Sequence, residues 1–132
     1  MKFVVMVMLP EEATKKYEAG FVGDPAIYQA MDAYNQSLLA AGVMVDGYGL
    51  MPTSHAARIS YKGGKNTVTD GPFIDIREAF GGFWIFECAS LQEAVDWARK
   101  APMAEGDSLV VRQIQSEEDF IEAVNSKEGY IA

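Results

Sequence analysis

The chain has 132 residues, of which 49% are hydrophobic and 23% charged, a composition typical of one globular domain spanning residues 1–132. The chain has a single cysteine, Cys88, which excludes an internal disulfide. Because it also has a single histidine, His55, a zinc site built from cysteine and histidine is not expected. The net charge of −8 repels phosphate backbones and anionic lipids, so we expect no nucleic-acid and no membrane partner. The lone thiol also suits a reducing compartment, and we expect a cytoplasmic protein.

The chain begins with an apolar segment, residues 3–9, that ends at Pro10. It is rich in β-branched residues and short, which favours a central strand buried on both faces. The following stretch up to Gly23 mixes charges and glycine without a clear period, so we predict a loop with a short helical turn there.

Three helices have recognisable starts. Asp24-Pro25 combines an N-cap with a proline at the first helical position, and the helix it begins ends at Gly42. Its apolar stripe consists of Ile27, Met31, Tyr34, Leu38 and Ala41. A capping box at residues 90–93 begins a second helix that ends before Pro102, and Ser116 begins a short third helix.

Strands are predicted over residues 43–48, 55–62, 65–69, 82–88 and 109–114. Gly63-Gly64 joins the second and third of these as a two-residue hairpin, because glycine adopts the positive φ angles of that turn without strain. The order of elements predicts an α+β fold, a ferredoxin-like sandwich with a mainly antiparallel sheet and helices on one face.

The segment Thr69-Asp70-Gly71-Pro72-Phe73 resembles the DGPF branch of the YciI-like family, which is named for that tetrapeptide. The similarity extends through residues 39–52 upstream and through 81–83, 90–98 and 110–112 downstream. The resemblance implies protomers that pair through their sheets into a dimeric α+β barrel. It also implies that some members are enzymes acting on ring compounds, including by dehydrochlorination, and that branch genes often accompany extracytoplasmic-function sigma factors. One departure is Gln113, where branch members commonly have proline.

Two residues are candidates for acid/base catalysis. The hairpin register set by Gly63-Gly64 places Ala57 opposite Asp70 and puts His55 diagonally across from that carboxylate on the same face. An imidazole beside a carboxylate in apolar surroundings titrates near neutrality, as a general acid or base requires. The alternatives are that Asp70 caps a turn and that His55 is a solvated loop residue.

Further candidates would bind a ligand rather than react with it. Arg58, Arg77 or Arg112 could orient a carboxylate or phenolate, the alternative for each being a surface salt bridge. Tyr48 and Trp84 belong to an aromatic set that suits either a pocket or a core.

Residues 83–86 are apolar at four successive positions, so both faces of their strand need cover. Two helices cover only one face, which predicts a homodimer. Together with what the resemblance implies about ring compounds, this gives the leading hypothesis, a small-molecule enzyme that acts on a modest-sized cyclic substrate in a cavity at the dimer interface. It uses Asp70 and His55, with no metal and no organic cofactor. The alternative is a non-catalytic ligand sensor or partner-binding module linked to sigma-factor regulation.

Overall fold

The computed structural model describes residues 1–20, 23–73 and 78–126. The strands are β1 (Lys2–Pro10), β2 (Met44–Gly49), β3 (Ala57–Lys62), β4 (Lys65–Asp70), β5 (Glu78–Glu87) and β6 (Ser108–Gln113). The helices are α1 (Glu11–Glu18), α2 (Pro25–Ala40), α3 (Leu91–Ala98) and α4 (Glu117–Asn125), and a 3-10 turn covers Thr53–His55.

Four of the strands form one antiparallel sheet in the order β2-β5-β1-β6. Helix α2 connects β1 to β2, and α3 connects β5 to β6, so each helix links two parallel strands that have a third strand between them. This arrangement is compatible with the ferredoxin-like fold expected from the sequence. The α+β class and the antiparallel sheet are confirmed.

The two faces of this sheet differ in burial. The helix face, defined by Phe3, Val5, Trp84 and Phe86, forms the buried core. Helices α2 and α3 pack against it with four buried side chains: Tyr34, Leu38, Ala94 and Ala98. The open face, defined by Val4, Met6, Phe83 and Ile85, is only partly buried.

Helix α1 lies where the sequence predicted a loop with one helical turn. Its first turn carries glutamates and its last turn lysines, which suits the helix dipole. Lys15 forms an ion pair with Glu11 at 3.2 Å, and the buried Thr14 hydroxyl donates to the carbonyl of Pro10 at 2.9 Å. These local contacts stabilise a helix that has no clean apolar period.

The hairpin of β3 and β4 has the predicted register, with Lys62 opposite Lys65 and Ala57 opposite Asp70. However, it forms a separate two-stranded sheet, and every residue of both strands is exposed. Strand β3 also begins two residues later than predicted, because His55 lies in the 3-10 turn, where its N–H donates to the carbonyl of Pro52. Local periodicity indicates a strand but not which neighbour it pairs with.

Across the described ranges, no helix combines the length and the apolar character that crossing a bilayer requires.

Candidate functional site

A cavity of about 570 Å³ lies between α1, α2 and the helix face of the sheet. Its volume falls within the range typical of small-molecule sites. Most of the lining is apolar, with contributions from Val7, Leu9, Ile27, Met31, Leu50, Met51, Trp84, Pro102 and Met103. This cavity is therefore our candidate site.

Glycines on β2 and β5 form part of the cavity wall. A Cβ atom at Gly47 would lie 2.8 Å from Trp84 Cδ1, and one at Gly82 would lie 2.9 Å from the carbonyl oxygen of Tyr48. Glycine at these positions lets the strands and the indole approach closely. At Gly49, by contrast, a Cβ would meet nothing within 4 Å, so a side chain there would extend into free space beside the cavity.

Several polar groups of the lining are already hydrogen-bonded within the protein. Trp84 Nε1 donates to Asn35 Oδ1 at 2.8 Å, and the Tyr17 hydroxyl donates to the carbonyl of Leu50. Asp107 Oδ2 accepts from the backbone N–H of Ala104 at 3.0 Å. These bonds hold the walls in place and leave a mainly apolar surface for a ligand.

The end of α1 is attached to the segment that carries Leu50 and Met51. Both carboxylate oxygens of Glu18 lie 3.0 Å from the backbone nitrogen of Thr53, which donates to them. Together with the Tyr17 bond, this contact fixes one side of the cavity to helix α1.

The DGPF tetrapeptide packs against the same segment. A Cβ at Gly71 would lie 1.7 Å from the carbonyl oxygen of Thr53, and the Gly71 N–H donates to the carbonyl of Ala56 at 2.9 Å. The Phe73 N–H donates to Thr53 Oγ1 at 3.0 Å, and the Gly71-Pro72 peptide is cis. The tetrapeptide thus joins the base of the hairpin to the 3-10 turn.

The proposed acid/base pair lies outside the cavity. His55 and Asp70 are both exposed, neither lines the cavity, and no hydrogen bond joins them. Within the described residues the pair lacks the apolar surroundings expected for it, because the hairpin forms a separate sheet and both side chains are exposed. No backbone N–H in the described part of the chain donates to the Asp70 carboxylate either, so the turn-cap interpretation also lacks its contact there.

The predicted ligand-binding residues are divided among three places. Trp84 lines the cavity, where its ring meets that of Tyr34 edge-on at 5.5 Å, and Tyr48 also contributes to the lining. A hydrogen bond with the Asp46 side chain raises the pKa of Tyr48. Arg58 lies on the hairpin, with its guanidinium 4.2 Å from the centre of the Phe73 ring.

Arg112 does not line the cavity either. Arg112 is exposed on β6 opposite Val4, which puts it on the open face. Arg77 lies outside the described residues.

The position of the cavity differs from the prediction. We expected a cavity between the sheet and a second protomer, whereas this one lies on the helix face within a single chain. Trp84 is only 5% exposed and is sheltered by its own α2. Asn35 and Gly49 were missed as lining residues, although the glycine-rich residues 47–49 and the stripe of α2 offered a signal.

Comparison with known proteins places these features in a family. The family model described as "YCII-related domain" matches residues 1–118. A similar protein is an uncharacterised protein of Rhizobium meliloti (strain 1021), 36% identical over 76 residues. That alignment covers 58% of this chain and 61% of the relative, so the chain spans less than two thirds of the relative's length. The match to the family model extends from β1 into α4, which is nearly the whole chain, and the chain therefore belongs to the YCII-related domain family.

Proposed function

We propose that this protein binds a modest-sized, mainly apolar organic molecule with a ring in the cavity between α1, α2 and the sheet. The observation that supports it is the cavity itself, with its volume of about 570 Å³ and its predominantly apolar lining. A concave apolar site whose few polar groups are held in place is the usual form of a small-molecule site.

The wall of the cavity favours a flat ligand. Gly47 and Gly49 add no side chains to the β2 wall, and the indole of Trp84 adds a planar aromatic surface beside it. An aromatic or alicyclic ring can lie against such a surface with large apolar contact. The resemblance implies that some family members also act on ring compounds. On the tetrapeptide and its flanking blocks we propose that the chain belongs to the DGPF branch.

Binding is better supported than acid/base catalysis. Among the described lining residues, the carboxylate Asp107 accepts from a backbone N–H, and the amide Asn35 accepts from the Trp84 indole. Asp70 and His55 do not line the cavity. Among the described lining residues there is no histidine to pair with a carboxylate, so the expected imidazole–carboxylate pair would not meet a ligand held there.

Intrinsic fluorescence tests this proposal, because Trp84 and Trp97 are the two tryptophans and only Trp84 lines the cavity. In a Trp97→Phe background, Trp84 emission reports titration with a panel of monocyclic and bicyclic phenols, carboxylates and neutral ring compounds. At least one compound should change that emission and raise the melting temperature, since a ligand of the folded state stabilises it.

Gly49→Leu should weaken such binding at least about tenfold, or about 1.4 kcal/mol, because the new side chain occupies free space beside the cavity. Ser60→Leu, which adds the same side chain on the exposed hairpin, is the matched control and should bind as the parent does. Equal affinity in both variants would place the ligand elsewhere, and a panel without any response would count against the proposal.

The Asp70→Asn substitution distinguishes the binding-module hypothesis from the enzyme hypothesis. The substitution keeps the shape of the side chain but removes its acid/base capacity. Because Asp70 does not line the cavity, we expect ligand affinity and melting temperature to stay unchanged. If a ligand from the panel is turned over and Asp70→Asn abolishes that turnover, the enzyme hypothesis is favoured over a sensor.

We also propose that two copies pair through the open face, as the family resemblance implies. Val4, Met6, Phe83 and Ile85 are half-buried there, and Val110 opposite Met6 is 40% exposed. A contiguous apolar face of this kind is a candidate for an interface between protein molecules.

A further inference from the structure

Another apolar surface lies at the β6 edge of the sheet, away from the cavity. The groove between α3 and β6, which we call the α3–β6 groove, has a volume of about 300 Å³. Its lining consists of Leu91, Val95, Ala98, Leu109 and Val111, with the side chain of Arg99 among them. Leu91 is 52% exposed, so the groove is open along the first turn of α3.

Helix α4 has an apolar stripe of its own. Ser116 and Asp119 form a complete capping box that defines where it begins, so the helix has its own start signal. On it, Ile121 and Val124 are 50% and 51% exposed, and they lie three residues apart on one side. Acidic side chains surround this stripe, namely Glu117, Glu118 and Glu122.

We propose that α4 of one copy of this chain packs into the α3–β6 groove of a second copy. The apolar stripe fits an apolar groove in the way that amphipathic helices dock. Arg99 contributes a positive charge to the groove lining, and the glutamates beside the α4 stripe are negatively charged. The two surfaces are therefore complementary in charge as well as in polarity. The exchange is reciprocal under a two-fold axis and uses each surface once in each copy.

The connection between β6 and α4 favours a second copy over the chain's own groove. The Ile114 N–H donates to the carbonyl of Lys2 at 2.8 Å, which holds the end of β6 against β1. Only Gln115 and Ser116 then precede α4. With this short connection, none of the described α4 residues lines the groove of its own chain.

Cysteine cross-linking tests the proposal, because it distinguishes contacts between chains from contacts within one chain. In a Cys88→Ala background, a Leu91→Cys chain is mixed with an Ile121→Cys chain, co-refolded and mildly oxidised. Val124→Cys replaces Ile121→Cys in a second pairing, so that one unfavourable side-chain geometry does not decide the result. The matched control pairs Leu91→Cys with Tyr61→Cys at the hairpin, where the tyrosine is 78% exposed.

We expect a covalent species of twice the 14.5 kDa chain mass on a non-reducing gel. It should form about tenfold or more faster than in the control, because docking raises the effective concentration of the two thiols. Adding Arg99→Glu to the Leu91→Cys chain should reduce this enrichment.

Two results would overturn the proposal. One is no enrichment over the Tyr61→Cys control in either pairing. The other is an intrachain disulfide, formed at low concentration in a chain that carries both Leu91→Cys and Ile121→Cys, since that would show α4 on its own groove. Neither readout involves the ligand cavity, so the ligand-binding proposal and this one can fail separately.

Discussion

At Gly71, a hydrogen atom in place of a side chain lets the DGPF tetrapeptide lie directly against the Thr53 carbonyl. The sequence singled out Asp70 as the chemically interesting member of this motif. In the structure, the backbone of Gly71 and the Phe73 N–H make the contacts to residues 53–56, while the Asp70 side chain is exposed. The residue that determines the local packing is therefore the one with no functional group.

Gly71→Ala should lower the free energy of unfolding by about 2 kcal/mol, as overpacking commonly does, because its Cβ would lie 1.7 Å from a backbone oxygen. Gly49→Ala is the control, with open space around its Cβ, and should change the free energy by less than about 0.5 kcal/mol. Urea unfolding followed by circular dichroism measures both. Equal stability of the two variants would mean that the turn at Thr53 rearranges at little cost.

The burial of the Tyr34 phenol affects the stability of the folded protein at alkaline pH. Burial, and secondarily the Cys88 thiol, raise the pKa of Tyr34 to about 12 from its ordinary 10.0, and its hydroxyl donates to the Trp97 carbonyl at 2.7 Å. The folded state thus favours the neutral phenol. This contribution to stability is complete below pH 10 and declines as the pH rises from 10 towards 12.

The urea midpoint of the parent protein should therefore fall between pH 10 and 12 more steeply than that of Tyr34→Phe. At pH 7 the variant should be less stable by about 1 kcal/mol, because the Trp97 carbonyl loses its donor. Parallel pH profiles would show that other groups control alkaline unfolding.

Among the strands, those of the β3–β4 hairpin are the least supported by packing. The hairpin contacts neither α2 nor the four-stranded sheet through a buried side chain, since all of its residues are exposed. Its attachment is at the base, where Arg58 lies over the Phe73 ring. Two-stranded sheets of this kind are marginally stable on their own.

Hydrogen exchange should show this difference. We expect the amides of β3 and β4 to exchange at least about a hundredfold faster than those of β1, because exposed ladders open locally without global unfolding. Native-state exchange with mass spectrometry measures both segments in one sample. Equal protection would contradict an exposed hairpin and would point to cover from a second copy.

For the whole molecule, the two faces of the sheet have different roles. The helix face contains both the core and the cavity, so all the described lining residues belong to a single chain. The open face retains partly exposed apolar side chains that the described helices do not bury. Pairing through the sheet therefore concerns the open face, whereas the cavity lies on the helix face.

Light scattering at low micromolar concentration should give twice the 14.5 kDa chain mass. Val110→Glu puts a charge on the open face at a position already 40% exposed, and should weaken pairing by about tenfold or more because an unpaired charge in an interface is costly. Leu39→Glu, at a position 53% exposed on α2, is the control and should leave the mass unchanged. A monomeric parent protein would refute the pairing proposal.

The local elements were determined by the sequence itself. Asp24 caps α2 through the Ala26 N–H, Ser116 and Asp119 form their capping box, and Gly63-Gly64 sets the register of the hairpin. These features depend on side chains and φ angles within a few residues, so a linear pattern is enough to predict them.

Only the tertiary structure decided where these elements lie relative to one another. It placed the hairpin apart from the main sheet, put Trp84 on the helix face and located the cavity between α1, α2 and that face. Alternation along a strand separates its two faces, but it does not tell which face the helices will cover or which strand will pair. Those choices depend on contacts between residues distant in the chain, and the candidate site is built from such contacts.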